Sequence, residues 1–128
     1  MIVDDLNVED FIIKLKNGQQ IFINICVEDY SFVLKNFILD NSIFEESFVN
    51  INFKNCSLKK VVFKGCNLKY IRFIDCDMTN ANISECSIES MELQSCNIKD
   101  IIFGQNYSYG IILDSKKCYE IYKQNNII

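Results

Sequence analysis

Phe53-Lys-Asn-Cys56-Ser-Leu58-Lys-Lys-Val61-Val-Phe63-Lys-Gly-Cys66-Asn-Leu68-Lys-Tyr-Ile71-Arg-Phe73 carries a large apolar residue at every fifth position. The series runs on without a gap through Met78, Ile83, Ile88, Leu93, Ile98 and Phe103. A second apolar set lies two residues before each member: Ile51, Cys56, Val61, Cys66, Ile71, Cys76, Ala81, Cys86, Met91, Cys96 and Ile101. Within it, five cysteines stand ten residues apart.

Two apolar positions in five fit neither regular element. On a helix, a repeat of 3.6 residues smears them around the axis within two turns. On a flat strand, a period of five sends the buried set to the opposite face at each repeat. A chain that turns a corner every five residues satisfies the pattern. Each pentad is then one side of a closed coil, with its two apolar residues inward. Stacked coils pair as parallel strands and bury one another's faces.

The pentads Cys56-Ser-Leu-Lys-Lys, Cys66-Asn-Leu-Lys-Tyr, Cys76-Asp-Met-Thr-Asn, Ala81-Asn-Ile-Ser-Glu, Cys86-Ser-Ile-Glu-Ser and Cys96-Asn-Ile-Lys-Asp resemble the A(D/N)LXX motif of the pentapeptide-repeat family. Asn67, Asp77, Asn82 and Asn97 fill its polar slot. The likeness is specific over 51–105 and extends weakly back to about residue 36. It implies an all-β fold, a right-handed quadrilateral β-helix with twenty residues per coil. Residues 36–105 then make about 3.5 coils, a tower roughly 17 Å tall at ~4.8 Å per rung. The first coil departs from the motif. In this frame Ile38, Ile43 and Phe48 are central, while Asn36, Asn41 and Glu46 fall in inner slots, so the coil is expected to be distorted or open.

Two caps flank the repeat. In 1–35, the stretches Phe11–Lys16 and Gln20–Ile25 surround Asn17-Gly18, which predicts a β-hairpin over 11–25. The register Leu15–Ile21, Ile13–Ile23, Phe11–Ile25 gives it one apolar face. In 106–128, Asp114 is placed to cap a short helix with Cys118, Ile121 and Tyr122 on its apolar stripe.

The chain of 128 residues bounds the answer to one domain, 49% hydrophobic. Its acidic N-terminus lacks a signal-peptide pattern. The longest apolar run, 21–27, is broken by Asn24 and too short to span a bilayer. The expected location is therefore cytoplasmic, with no membrane partner. Seven cysteines in a reducing compartment read as buried thiols. Cys56, Cys76 and Cys96 fall in one column, and Cys66 and Cys86 in the opposite one. No histidine is present and only four glycines, which removes Ser-His-Asp and Cys-His machinery and phosphate-cradling loops. No catalytic residue, cofactor or metal is expected, and the chain is read as no enzyme. The structural core is expected at the five repeat cysteines together with Phe53, Leu58, Phe63, Leu68, Phe73, Met78, Ile83, Ile88, Leu93, Ile98 and Phe103.

Function then lies on outward positions. Lys54, Lys59, Lys60, Lys64, Lys69 and Arg72 form a basic run without an acid. Asp75, Asp77, Glu85, Glu89 and Glu92 follow as an acidic run. Coiled, these become adjacent belts and a candidate interaction surface. The expected function is a non-catalytic protein-interaction scaffold whose partner is not named by the sequence. The family resemblance supplies an alternative: some members mimic DNA and bind gyrase or related topoisomerases. It also implies a possible role for the C-terminal segment in forming a homodimer. The net charge of −4 and the basic belt weigh against DNA mimicry. Direct nucleic-acid binding is not expected.

Overall fold

The computed structural model describes residues 3–128. Its elements are β1 (Asp4–Leu6), α1 (Val8–Lys16), β2 (Ile21–Ile23), β3 (Ile25–Lys35), β4 (Ile43–Glu45), β5 (Phe48–Lys54), β6 (Val62–Lys64), β7 (Arg72–Ile74), β8 (Asn82–Ser84), β9 (Glu92–Gln94), β10 (Ile102–Phe103), β11 (Asn106–Ser108), β12 (Ile111–Leu113) and α2 (Ser115–Tyr122). Two parallel five-stranded sheets, β1-β3-β5-β7-β9 and β2-β4-β6-β8-β10, form opposite walls of a four-sided β-solenoid. Columns of single bridges close the other two walls: Ile38–Ser57–Asp77–Asn97 and Phe48–Asn67–Ser87–Tyr107. The chain makes about five turns, not 3.5. The uncounted turn lies in 21–35, built from β2 and β3. Five rungs make a sheet about 19 Å tall.

The core is a stack of like residues. Phe22, Phe44, Phe63, Ile83 and Phe103 lie in register down one wall. Phe22 and Phe44 stack with centroids 4.9 Å apart, and Phe53 and Phe73 do the same across the core. Offset aromatic pairs at this spacing add to the burial of their area.

Corners are left-handed. Asn55, Lys60, Tyr70, Asp75, Asn80, Glu85, Ser90, Ser95 and Asp100 all have φ between 51° and 63°. Two kinds of corner alternate. At those leading to Val61, Ala81, Met91 and Ile101, the backbone N–H donates to the carbonyl three residues back, at 3.0–3.2 Å. The corners leading to Cys66, Cys86 and Cys96 use side chains instead. Cys66 N–H donates to Cys86 Sγ (3.4 Å). Each of these three thiols shares its proton between two carbonyls. Cys86 Sγ lies 3.3 Å from Phe63 O and 3.2 Å from Ser84 O, and Cys96 Sγ lies 3.2 Å from Phe73 O and 3.4 Å from Gln94 O. A thiol suits these open corners because it can donate to the carbonyls facing it and, as Cys86 Sγ does for Cys66 N–H, also accept.

Both columns end in asparagine. Asn106 Oδ1 accepts from Cys86 N–H (2.9 Å), and its Nδ2 donates to Ile83 O and Gly104 O. Asn126 does the same below Cys96, donating to Leu93 O and Gln124 O. At the upper end, Ser47 Oγ accepts from Ile25 N–H and donates to Glu45 O.

Two expectations are corrected. There is no hairpin over 11–25: residues 8–16 are helical. Asn7 Oδ1 caps α1 by accepting from Asp10 N–H (2.8 Å), and Glu9, Asp10, Lys14 and Lys16 suit the dipole. Gly18, at φ 84°, lets the chain leave the helix, so Asn17-Gly18 is a C-cap rather than a β-turn. Val8, Phe11, Ile12 and Leu15 pack on the core, with Phe11 lying 5.4 Å from Phe22 and closing the top. Ile13, Ile21 and Ile23, assigned to the hairpin's buried face, are exposed.

The first coil is closed rather than distorted, but its frame lies one residue later. Leu39, Phe44 and Val49 are central and buried, while Ile38 is 80% exposed. Asn36, Asn41 and Glu46 are not in the core at all: they are outward corners with φ of 63°, 66° and 49°. The cause is one absent corner residue after Asn50. β5 runs straight through that position, with Asn50 and Asn52 buried. The coil above compensates with a bulge between Glu28 and Val33. Asn52 Nδ2 ties the bulge down through Tyr30 O (2.9 Å) and Phe32 O (3.1 Å).

At the other end, Asp114 Oδ1 caps α2 by accepting from Lys117 N–H. Cys118 and Tyr122 are buried beneath it, and Tyr122 Oη donates to Met91 O (3.0 Å). Ile121 faces out, contrary to its assignment to the apolar stripe.

Candidate interaction surface

Each regular pentad directs three residues outward, so every charge has a wall and a rung. The basic residues circle the second and third coils. Lys54 and Arg72 lie on the wall of β5 and β7, Lys59 and Lys60 on and beside the next wall, Lys64 on β6 and Lys69 on the fourth. The acids sit one rung further on and face them. Arg72 and Glu92 are in register on adjacent strands. Lys59 Nζ lies 3.9 Å from Asp77 Oδ2, and Lys69 Nζ lies 3.5 Å from Glu89 Oε2. Exposed pairs of this kind contribute about 0–1 kcal/mol. Glu89 differs, being almost wholly buried, with Oε1 accepting from Tyr109 N–H (2.8 Å). Among the described residues, Lys54, Lys60, Lys64, Asp75 and Glu85 form no ion pair. The belts thus meet in two ion pairs and one in-register strand pair, and among the described residues Arg72 and Glu92 join those five outside any ion pair.

Two surface features escaped the sequence reading. Ile111, Ile112, Tyr119, Ile121, Ile127 and Ile128 are each exposed within the last eighteen residues, at the C-terminal end. The opposite end carries exposed Asp4, Asp5, Glu9 and Asp10. The second feature is a groove of about 390 Å³ on the fourth wall, between exposed Phe48 and Tyr107. Asn67 and Ser87 form its floor, and Glu46, Gly65 and Glu85 its rim. Phe48 was hidden because the frame shift made it look like a core residue.

The five repeat cysteines are buried, and no thiol is oxidised. Among the described residues, no group of three or more His, Cys, Asp or Glu side chains is placed to hold a metal ion. Cys56 and Cys86 are pushed up, first by the neighbouring thiols of Cys76 and Cys66 in their columns and then by burial. The neighbouring thiol of Cys56 lowers Cys76, but the thiol of Cys96 on its other side and burial outweigh it and hold Cys76 at about 11. Cys66 and Cys96 are instead lowered, chiefly by the neighbouring thiols of Cys86 and Cys76, against the opposing effect of burial; both are buried away from solvent. No helix among the described residues is long and apolar enough to cross a membrane.

A family model described as a pentapeptide repeat region matches residues 34–107. The chain belongs to the pentapeptide-repeat family. A solved structure, the pentapeptide repeat protein Rfr23 from the cyanobacterium Cyanothece 51142, superposes with a TM-score of 0.58 at 18% identity. The match covers 96% of this chain and 63% of that one, so the chain spans less than two thirds of that protein's length. At that identity the likeness shows the fold alone. No protein of curated function matches. This pentapeptide-repeat protein extends the matched region at both ends, with α1 above and the β11–β12 hairpin and α2 below.

Proposed function

We propose that this pentapeptide-repeat protein is a non-catalytic interaction scaffold that assembles through its C-terminal end. The observation that carries this reading is the contrast between its ends. Six large apolar side chains are exposed at one end, and at the other three, Ile13, Ile21 and Ile23, beside four carboxylates. Apolar surface concentrated in this way favours burial against a partner. The free edge of β12 carries Ile111 and Ile112 and suits antiparallel pairing with a second copy. The two copies would present four walls each, with acidic tips outward.

The column thiols suit a reducing compartment such as the cytoplasm, because a disulfide would remove the donors that the corner carbonyls use. DNA mimicry of a gyrase substrate is the weaker reading. It calls for an unbroken acidic surface, and here Lys54, Lys60 and Lys64 stand unpaired around the middle coils.

Sedimentation velocity tests the assembly. The wild type is expected to run as a dimer at micromolar concentration, and Ile112→Lys and Ile121→Lys as monomers with unchanged far-UV circular dichroism. A wild type that stays monomeric to 100-fold higher concentration overturns the proposal. Inhibition of gyrase supercoiling by the wild type would favour the alternative.

A further inference from the structure

The groove on the fourth wall is a feature that neither the core nor the C-terminal end explains. Its long axis follows the solenoid. Phe48, Asn67, Ser87 and Tyr107 are bridged rung to rung, which places the two aromatic residues about 14 Å apart. That span matches four to five residues of extended chain at ~3.3 Å each. Beside this row runs the corner column Glu46, Gly65, Glu85.

Gly65 makes the notch. The neighbouring corners carry side chains, but here φ is 66° and no Cβ is present. The Glu46 carboxylate bends into the vacated space, where a Cβ at Gly65 would collide with it. Glu85 stands two rungs below Glu46. The groove is therefore lined by two carboxylates and two aromatic residues, with no basic side chain among its lining residues. Neither carboxylate is in an ion pair among the described residues. The basic belt lies close by on the same coils but turns Lys59, Lys60 and Lys64 to other walls, and Lys69, on this wall, is paired with Glu89 and does not line the groove.

We propose that this groove binds an extended, basic segment of a partner protein, with cationic side chains between Glu46 and Glu85 and apolar ones against Phe48 and Tyr107. The charge of the rim selects the cation. The aromatic faces add cation–π and apolar contact. The polar floor of Asn67 and Ser87 offers partners to the peptide backbone. The proposal rests on the scaffold reading, but it does not depend on dimer formation.

The test is a fluorescence-anisotropy titration with an acetylated, amidated pentapeptide, Arg-Leu-Arg-Leu-Arg, against the Glu-Leu-Glu-Leu-Glu peptide and free spermidine. The Arg peptide is expected to bind at least tenfold more tightly than the Glu peptide. Glu46→Gln with Glu85→Gln should weaken it at least fivefold, and Phe48→Ala by a similar factor. Both glutamates are surface corners, so the double variant keeps the fold. Gly65→Ala serves as a second probe, with folding checked by circular dichroism. Equal binding of the two peptides, or an Arg-peptide affinity unchanged in the double variant, overturns the proposal. So does spermidine competing as well as the peptide, which would mark a simple cation site. Repeating the titration with the monomeric Ile112→Lys variant separates this result from the assembly: peptide affinity should be unchanged there.

Discussion

Two kinds of corner hold the same tower together, and they tolerate different residues. At Val61, Ala81, Met91 and Ile101 the backbone closes its own turn, and the inner slot has only volume to fill. At Cys66, Cys86 and Cys96 the turn is open, and the inner side chain completes the hydrogen bonding between coils. The lesson is that a buried position is defined by the backbone groups facing it as much as by its size. An unpartnered buried carbonyl or N–H costs about 1–3 kcal/mol.

The largest break in this comparison is expected at Asn106. Asn106→Leu leaves Cys86 N–H and Gly104 O without partners and takes from Ile83 O one of its two donors, and it should lower unfolding free energy by about 3 kcal/mol or more. Urea denaturation checks this; a loss under about 1 kcal/mol would mean that the column terminator is dispensable. Next comes the pair Cys86→Val and Cys86→Ser. Valine should cost about 2 kcal/mol because it cannot donate, whereas serine should cost less than ~1 kcal/mol. The order should invert at the closed corner. Val61→Ser should cost about 2 kcal/mol, from lost methyl burial and an unneeded hydroxyl, and Val61→Cys clearly less. The same ranking at both sites would erase the distinction between the corners.

A smaller effect is expected at the corner itself. Gly65→Ala places a Cβ in the left-handed region against Glu46 and should cost about 1 kcal/mol. Ser95→Gly, at φ 54°, should come out near neutral, since relief of strain offsets chain entropy.

The gentlest probe changes no residue. A thiol reagent at pH 8 should label one cysteine per native chain, the half-exposed Cys26, and all seven after unfolding. Rapid native labelling of the columns would contradict their closure. The same burial predicts an alkaline weakness. Unfolded thiols ionise near 9, while Cys76 waits until about 11 and Cys56 and Cys86 are also raised. Above pH 9 these three thiols hold protons in the folded chain that the unfolded chain has lost, so their contribution to stability falls as pH rises, while Cys66 and Cys96, which are lowered, act in the opposite sense. A Cys76→Ser variant should lose less over the same range.

The stretch from Ile51 to Phe103 was readable because its corners are regular: every fifth residue could be assigned without knowing any contact. The coils above were not, for a local reason. Asn50 is followed directly by Ile51, so the frame slips by one residue, and the bulge at 29–32 hides the repeat in β3. Phe11, Ile13 and Leu15 alternate as a strand would, while Val8, Phe11, Ile12 and Leu15 fit a helix. The Asn7 cap and the flat end of the core decide between them, and only the first is local. The belts were legible as charge runs. Their pairing through Lys69–Glu89 and Lys59–Asp77 depends on stacking across a coil. The groove was invisible, because Phe48 had been placed inside.

The paired asparagines carry a consequence for size. Asn106 arrives one coil below Cys86, whereas Asn126 reaches Cys96 only after a hairpin and a helix. Both present the underside of a coil with what another coil would have presented. The lid therefore recognises the surface it covers rather than the number of storeys above it. A further twenty-residue storey spliced in above Asn106 should be accepted by the same lid, which makes height an adjustable dimension of this molecule and the spacing between its two tips something that can be dialled in units of one coil.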